Sequence, residues 1–133
     1  MEKDLMDMKA MDDSVNVYGD PLQSCSEEPV TGFFRDGKCN TCKDDLGSHT
    51  VCVKVTTDFL EFSRTRGNDL STPMPELGFA GLKPGDSWCL CAARWLEAYE
   101  HGVAPRVHMT RTHLRAVEVI PLQTLKEFAV DLN

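Results

Sequence analysis

The chain has 133 residues, 41% of them hydrophobic, and a formal net charge of −7. These values fit one ordinary globular domain and lack the basic face that a nucleic-acid binder uses to neutralise phosphates. No segment is apolar for long enough to read as a secretory signal core or a membrane span, so neither nucleic acid nor membrane is expected as a partner.

Residues 1–14 carry five acids (Glu2, Asp4, Asp7, Asp12, Asp13) against Lys3 and Lys9. They read as a disordered, acidic, methionine-rich leader, with a single domain over 15–133. Six cysteines without a signal sequence point to a reducing, cytoplasmic compartment, where thiols act as buried packing groups, metal ligands or nucleophiles.

Val15 to Tyr18 alternates as a short first strand and stops at the turn Gly19-Asp20-Pro21. A polar, irregular stretch follows, and then Gly32-Phe33-Phe34-Arg35-Asp36-Gly37, in which Asp-Gly marks a turn and the two phenylalanines anchor it to the core. A second irregular stretch, KCNTCKDDLGS, leads into the clearest strand, His49 to Thr56, with Val51, Val53 and Val55 on one face. Thr57 or Asp58 caps a helix, Glu61 completes a capping box, and Gly67 closes it.

The stretch from Gly67 to Trp95, GNDLSTPMPELGFAGLKPGDSWCLCAARW, is too rich in proline and glycine to be regular throughout and too aromatic to be a linker. It reads as a long ordered loop, of the kind that carries or covers a site, running into a short strand at Trp88 to Cys91. Ala92, Trp95, Leu96 and Tyr99 then give the i, i+3, i+4, i+7 pattern of a helix, ended by Gly102 and Pro105. Arg106 to Thr110 and Ala116 to Ile120 read as strands, and Pro121 opens a last helix. The fold class is therefore α+β: a small single domain, with short strands in one sheet and about three helices packed on it.

The phrases NVYGDPLQSC, TGFFRDGKCNT, DDLGSHTVCV, FLEFSRTRGNDLSTPMPELGFAGLKPGDSWCLCAARW and APRVHMTRTHLRAVEVIPLQTLKEFAVD resemble a bacterial family known as domain of unknown function 2237. The resemblance runs from about Val15 to Asp131. It implies a small α+β cytosolic protein and no settled activity. Cys42 departs from the family's pattern, in which a small non-thiol residue is expected there, and this counts against any site that requires Cys42.

Three kinds of site can be assembled from these residues. The first is a small-molecule pocket with aromatic walls and a few fixed polar groups. It would draw on Arg35, Asp36, Asp45, Asn68, Asp69, Asp86, Trp88, Arg94 and His113. Asp69 and Asp86 could instead bond their own loop backbone, with Arg94 pairing one of them. The second is a thiol-dependent enzyme with Cys89 as nucleophile and His49 as its base. The third is a structural or adaptor protein. No metal site is expected; the alternative is zinc held by Cys39, Cys42, Cys89 and Cys91, whose thiolates could complete a tetrahedron. The ligand and the oligomeric state are not legible in the sequence.

Overall fold

The computed structural model describes residues 11–130, so most of the expected leader lies outside the described residues. Its last residues are tied to the domain. The Asp12 N–H donates to the Thr41 carbonyl, and the Asp12 carboxylate accepts from Arg115 Nη1 at 2.7 Å.

Among the described residues the architecture is a three-stranded antiparallel sheet with three α-helices. The central strand β1, His49–Lys54, pairs with β2, Ser87–Cys91, on one side and with β3, Arg106–Val107, on the other. Register places Val51 opposite Leu90, Cys52 opposite Cys89 and Val53 opposite Trp88, with an irregularity between His49 and Val51. Because side chains alternate along a strand, Val51, Val53, Trp88 and Leu90 share one face, and Cys52 and Cys89 share the other.

The valine face meets the helices. Helix α1, Thr57–Thr65, is capped by Thr56, whose hydroxyl accepts from the Phe59 N–H. The cap thus lies one residue before the positions the sequence suggested, and Glu61 pairs with Arg64 instead of closing a capping box. Helix α2, Ala92–Glu100, follows β2 directly and buries Ala92, Trp95 and Ala98. Trp95 is sealed at the centre, and its Nε1–H donates to the Pro105 carbonyl at 3.0 Å. Tyr99 stacks on one side of it and Phe128 meets it edge-on. Truncating an indole in this position to alanine typically costs about 3–5 kcal/mol. Helix α3, Leu122–Glu127, closes the domain and adds Leu125 to the same core.

Two expected strands fold otherwise. Val15 and Asn16 make only isolated bridges, to Pro21 and His113. Leu114–Glu118, overlapping the expected strand over 116–120, is a 3-10 helix with His113 as its cap. Ala116 and Ile120 are buried while Glu118, which a strand would place on the same face as both, is exposed.

The cysteine face is covered by the N-terminal half of the chain, which between Asp12 and Ser48 forms no regular helix or strand. Two disulfides hold it down, Cys25–Cys52 and Cys39–Cys89, closing loops of 27 and 50 residues. This corrects the reading of all six cysteines as thiols: only Cys42 and Cys91 are free. A segment without regular structure has few ways to bury its backbone, and cross-links of this span contribute about 3–4 kcal/mol each by restricting the unfolded chain.

Candidate functional site

A cavity of about 330 Å³ opens where β2, the start of α2 and the 32–35 turn meet the beginning of the long loop. Trp88, Leu90 and Cys91 line it from β2. Phe33 and Leu70 form apolar walls, and Arg35, His49, Asn68 and Arg94 supply the polar lining.

Each polar group is positioned by local chemistry. The Arg35 turn is set by positive φ at Gly32 (99°), Arg35 (56°) and Gly37 (84°). Gly32 cannot be replaced there without a clash, since a Cβ would lie 2.2 Å from the Lys38 carbonyl oxygen. The turn brings the Arg35 guanidinium 5.4 Å from the centre of the Trp88 ring, a distance at which a cation is attracted to the aromatic face. Phe79 packs against the same indole at 5.5 Å between centroids. Arg94 projects from the first turn of α2, and its Nη1 donates to the Arg66 carbonyl at 3.0 Å.

His49 is the most closely held of these groups. Its Nδ1 lies 2.6 Å from Asp45 Oδ1, and its backbone N–H donates to Asp45 Oδ2 at 2.9 Å. Thr41 Oγ1 donates to the same Oδ2 at 2.9 Å. The Asp45 side chain is wholly enclosed while that of His49 is 42% exposed. With the carboxylate accepting at Nδ1, the imidazole turns Nε2 away from it. Gly47 leaves room for the ring, because a Cβ there would sit 2.9 Å from His49 Cε1. Phe33, 41% exposed, stacks on the ring at 6.4 Å instead of anchoring its turn in the core.

The residues singled out from the sequence therefore divide. Arg35, His49, Asn68, Trp88, Cys89 and Arg94 line one cavity, with Asp45 directly behind His49. Asp36 accepts from the Lys38 N–H and from Asn40 Nδ2, which fixes the turn. Asp69 accepts from the Ser71 and Thr72 N–H groups and the Thr72 hydroxyl. Those bonds hold its carboxyl below the usual aspartate range, the hydroxyl foremost. Asp86 accepts from the Lys83 N–H in its own turn. Asp69 and Asp86 make the loop-internal bonds weighed for them, and Arg94 reaches Glu97, at 3.5 Å, rather than either.

His113 lies elsewhere, buried beside a second cavity of about 280 Å³ with Asp12, Asp13 and Arg115. Its Nδ1 accepts from the Arg115 N–H, so Nε2 carries the proton and donates to the Asp13 carbonyl at 2.8 Å.

The cysteines rearrange the thiol reading. Cys89 is bonded to Cys39, so neither offers a free thiol, and the grouping of Cys39, Cys42, Cys89 and Cys91 does not form. The free thiol at the cavity is Cys91, the cross-strand partner of His49. Phe33 and Leu70 were not marked as site residues by the sequence.

The fold and cavity define a small α+β domain with a basic, aromatic-walled hollow at one end of its sheet. The chain belongs to the family described as "uncharacterized protein conserved in bacteria" (DUF2237), whose model matches residues 15–129. No curated protein matches the chain. Among the described residues no helix is long and apolar enough to cross a membrane.

Proposed function

We propose that the protein binds a small anionic molecule with a planar or apolar body, a carboxylate or phosphate compound, in the cavity between β2, the start of α2 and the 32–35 turn. One observation carries this reading. In a chain of net charge −7, the titratable lining of the cavity among the described residues includes Arg35, His49 and Arg94 and no Asp or Glu. An acidic protein that gathers basic groups at an aromatic-walled hollow favours a ligand of opposite charge, with orientation set by few polar contacts. Arg35 and Arg94 would take the anion, and Trp88 and Phe33 the body.

A thermal-shift screen of aromatic and aliphatic carboxylates and phosphate esters tests it. The reading predicts stabilisation by members of that panel, reduced tenfold or more in affinity by Arg35→Gln or Arg94→Gln. Shifts of wild-type size in both variants would remove the site from this cavity.

A second reading is favoured by a separate observation. Cys91 and His49 are partners at the irregular end of the β1–β2 ladder, both line the cavity, and Asp45 orients the imidazole. A thiol enzyme on this domain would use Cys91 as nucleophile, His49 Nε2 as its base and Asp45 as the positioning group. Its test is alkylation of Cys91 by iodoacetamide, which His49→Gln should slow several-fold; an unchanged rate argues against it. A cytoplasmic setting remains part of the proposal. The paired cysteines bear on it directly, since disulfides persist in oxidising compartments, and trapping the thiols in intact cells decides the matter.

A further inference from the structure

The two disulfides do not stand apart. The sulfur atoms of Cys25, Cys39 and Cys89 all lie within 4.8 Å of one another. Cys52, bonded to Cys25, is the direct cross-strand partner of Cys89. All four residues are buried and form one cluster, separate from the valine-face core. Two cross-links that served only to tether the N-terminal half could bond at any two points along it. These converge on one point, from two adjacent strand positions and two loop positions.

We propose that, in its reduced form, this cluster is a structural zinc site with Cys25, Cys39, Cys52 and Cys89 as its four ligands. Zinc–thiolate bonds of about 2.3 Å set the sulfur–sulfur edges of a tetrahedron near 3.8 Å. Three of the four sulfurs, those of Cys25, Cys39 and Cys89, already lie within 4.8 Å of one another, and Cys52 is tied to that group through its bond to Cys25. The cluster contains only sulfur donors, which suit zinc over calcium or magnesium. It is shut from solvent, as structural sites with a full protein ligand set are. Cys42 and Cys91 are outside it, so the ligand set differs from the CxxC and CxC pairs that the spacing suggests.

The chemistry balances with a dithiol as reductant. Each disulfide takes two electrons and two protons, giving two thiols, while the dithiol closes to its own disulfide. Binding of Zn²⁺ then displaces four thiol protons and leaves a tetrathiolate of net charge −2. Metal and disulfides would thus be alternative ways of fastening the same two loops to the same two strands. This inference does not depend on the ligand reading of the cavity.

The test is cobalt uptake by the full chain, reduced with dithiothreitol without oxygen. The proposal predicts one Co²⁺ per chain, with thiolate charge-transfer bands and intense tetrahedral d–d absorption, displaced by Zn²⁺. Cys42→Ser should bind identically, and Cys39→Ser should lose the four-thiolate spectrum. No uptake by the fully reduced chain, or an unaltered spectrum in Cys39→Ser, overturns the proposal. A second measurement does not depend on the variants folding. Wild-type protein isolated from zinc-supplied cells without exposure to oxygen should contain about one zinc with four sulfur neighbours by X-ray absorption. Less than a tenth of an equivalent, with both disulfides intact, overturns it too.

Discussion

The enclosed carboxylate of Asp45 holds the imidazole of His49 at 2.6 Å, from a position four residues earlier on the turn entering the central strand. The turn, the first residue of β1 and the edge of the cavity are thereby one unit. A change at Asp45, which does not line the cavity, should be felt inside it.

Asp45→Ala removes all three bonds to the carboxylate and takes from the buried Thr41 hydroxyl its 2.9 Å acceptor. The expected loss is about 1–3 kcal/mol, read as a lower urea midpoint with an unchanged slope. A variant as stable as the wild type would mean that the bonds to Asp45 contribute little.

Gly47→Ala should act on the site more than on the fold. A Cβ there would meet His49 Cε1 at 2.9 Å, and a half-exposed ring can swing aside. Stability should fall by less than about 1 kcal/mol, within the usual range for surface changes. The His49 ring resonances in a proton–nitrogen correlation spectrum should move strongly. Unmoved resonances would show that the ring does not rest on Gly47.

Removing the Cys25–Cys52 cross-link by a double alanine substitution should cost the oxidised protein about 3–4 kcal/mol, as expected for closure of a loop of 27 residues. The loss should show first as faster amide exchange between Asp12 and Ser48, because this segment has no helix or strand of its own. Exchange accelerating equally in α2 would indicate that the disulfide supports the whole domain.

His113 sets a pH dependence. Burial lowers its pKa below the ordinary histidine value, opposed in part by its bond to the Asp13 carbonyl. The unfolded chain therefore binds this proton at higher pH than the folded one. The associated stability is fully present above the unfolded pKa of about 6.5 and is lost as pH falls toward the lower folded value. Urea midpoints between about pH 8 and pH 5 should decline, and His113→Gln should flatten the part of the decline nearest pH 6. An identical profile in the variant would assign the decline to other groups.

How much of this was legible follows from where the physics is local. The β-branched run at Val51 and Val53 and the helical spacing of Ala92 and Trp95 mark buried positions of a strand and a helix, although Thr50 and Cys52 are buried as well and Tyr99 is exposed. The bonds of Asp69 and Asp86 to nearby backbone are likewise local. Ala116 to Ile120 misleads because Val117 and Val119 alternate, while Glu118, which a strand would bury beside Ala116 and Ile120, is exposed. The disulfide pairing was not legible, since spacing alone does not fix connectivity; it took the register of Cys52 against Cys89 to bring the two cross-links together. The cavity was half legible. Its arginines, tryptophan and histidine were marked by residue type, but only the fold separates them from Asp36, Asp69, Asp86 and His113.

The account turns on the anion-binding character of the hollow between Arg35 and Arg94. Titrating labelled protein with benzoate and with phenyl phosphate, followed by proton–nitrogen NMR, tests it most directly. We predict saturable shifts confined to the surroundings of Phe33, Arg35, His49, Trp88 and Arg94, abolished in the Arg35→Gln/Arg94→Gln variant. Shifts spread over the surface, centred on His113, or persisting in that variant would contradict the account.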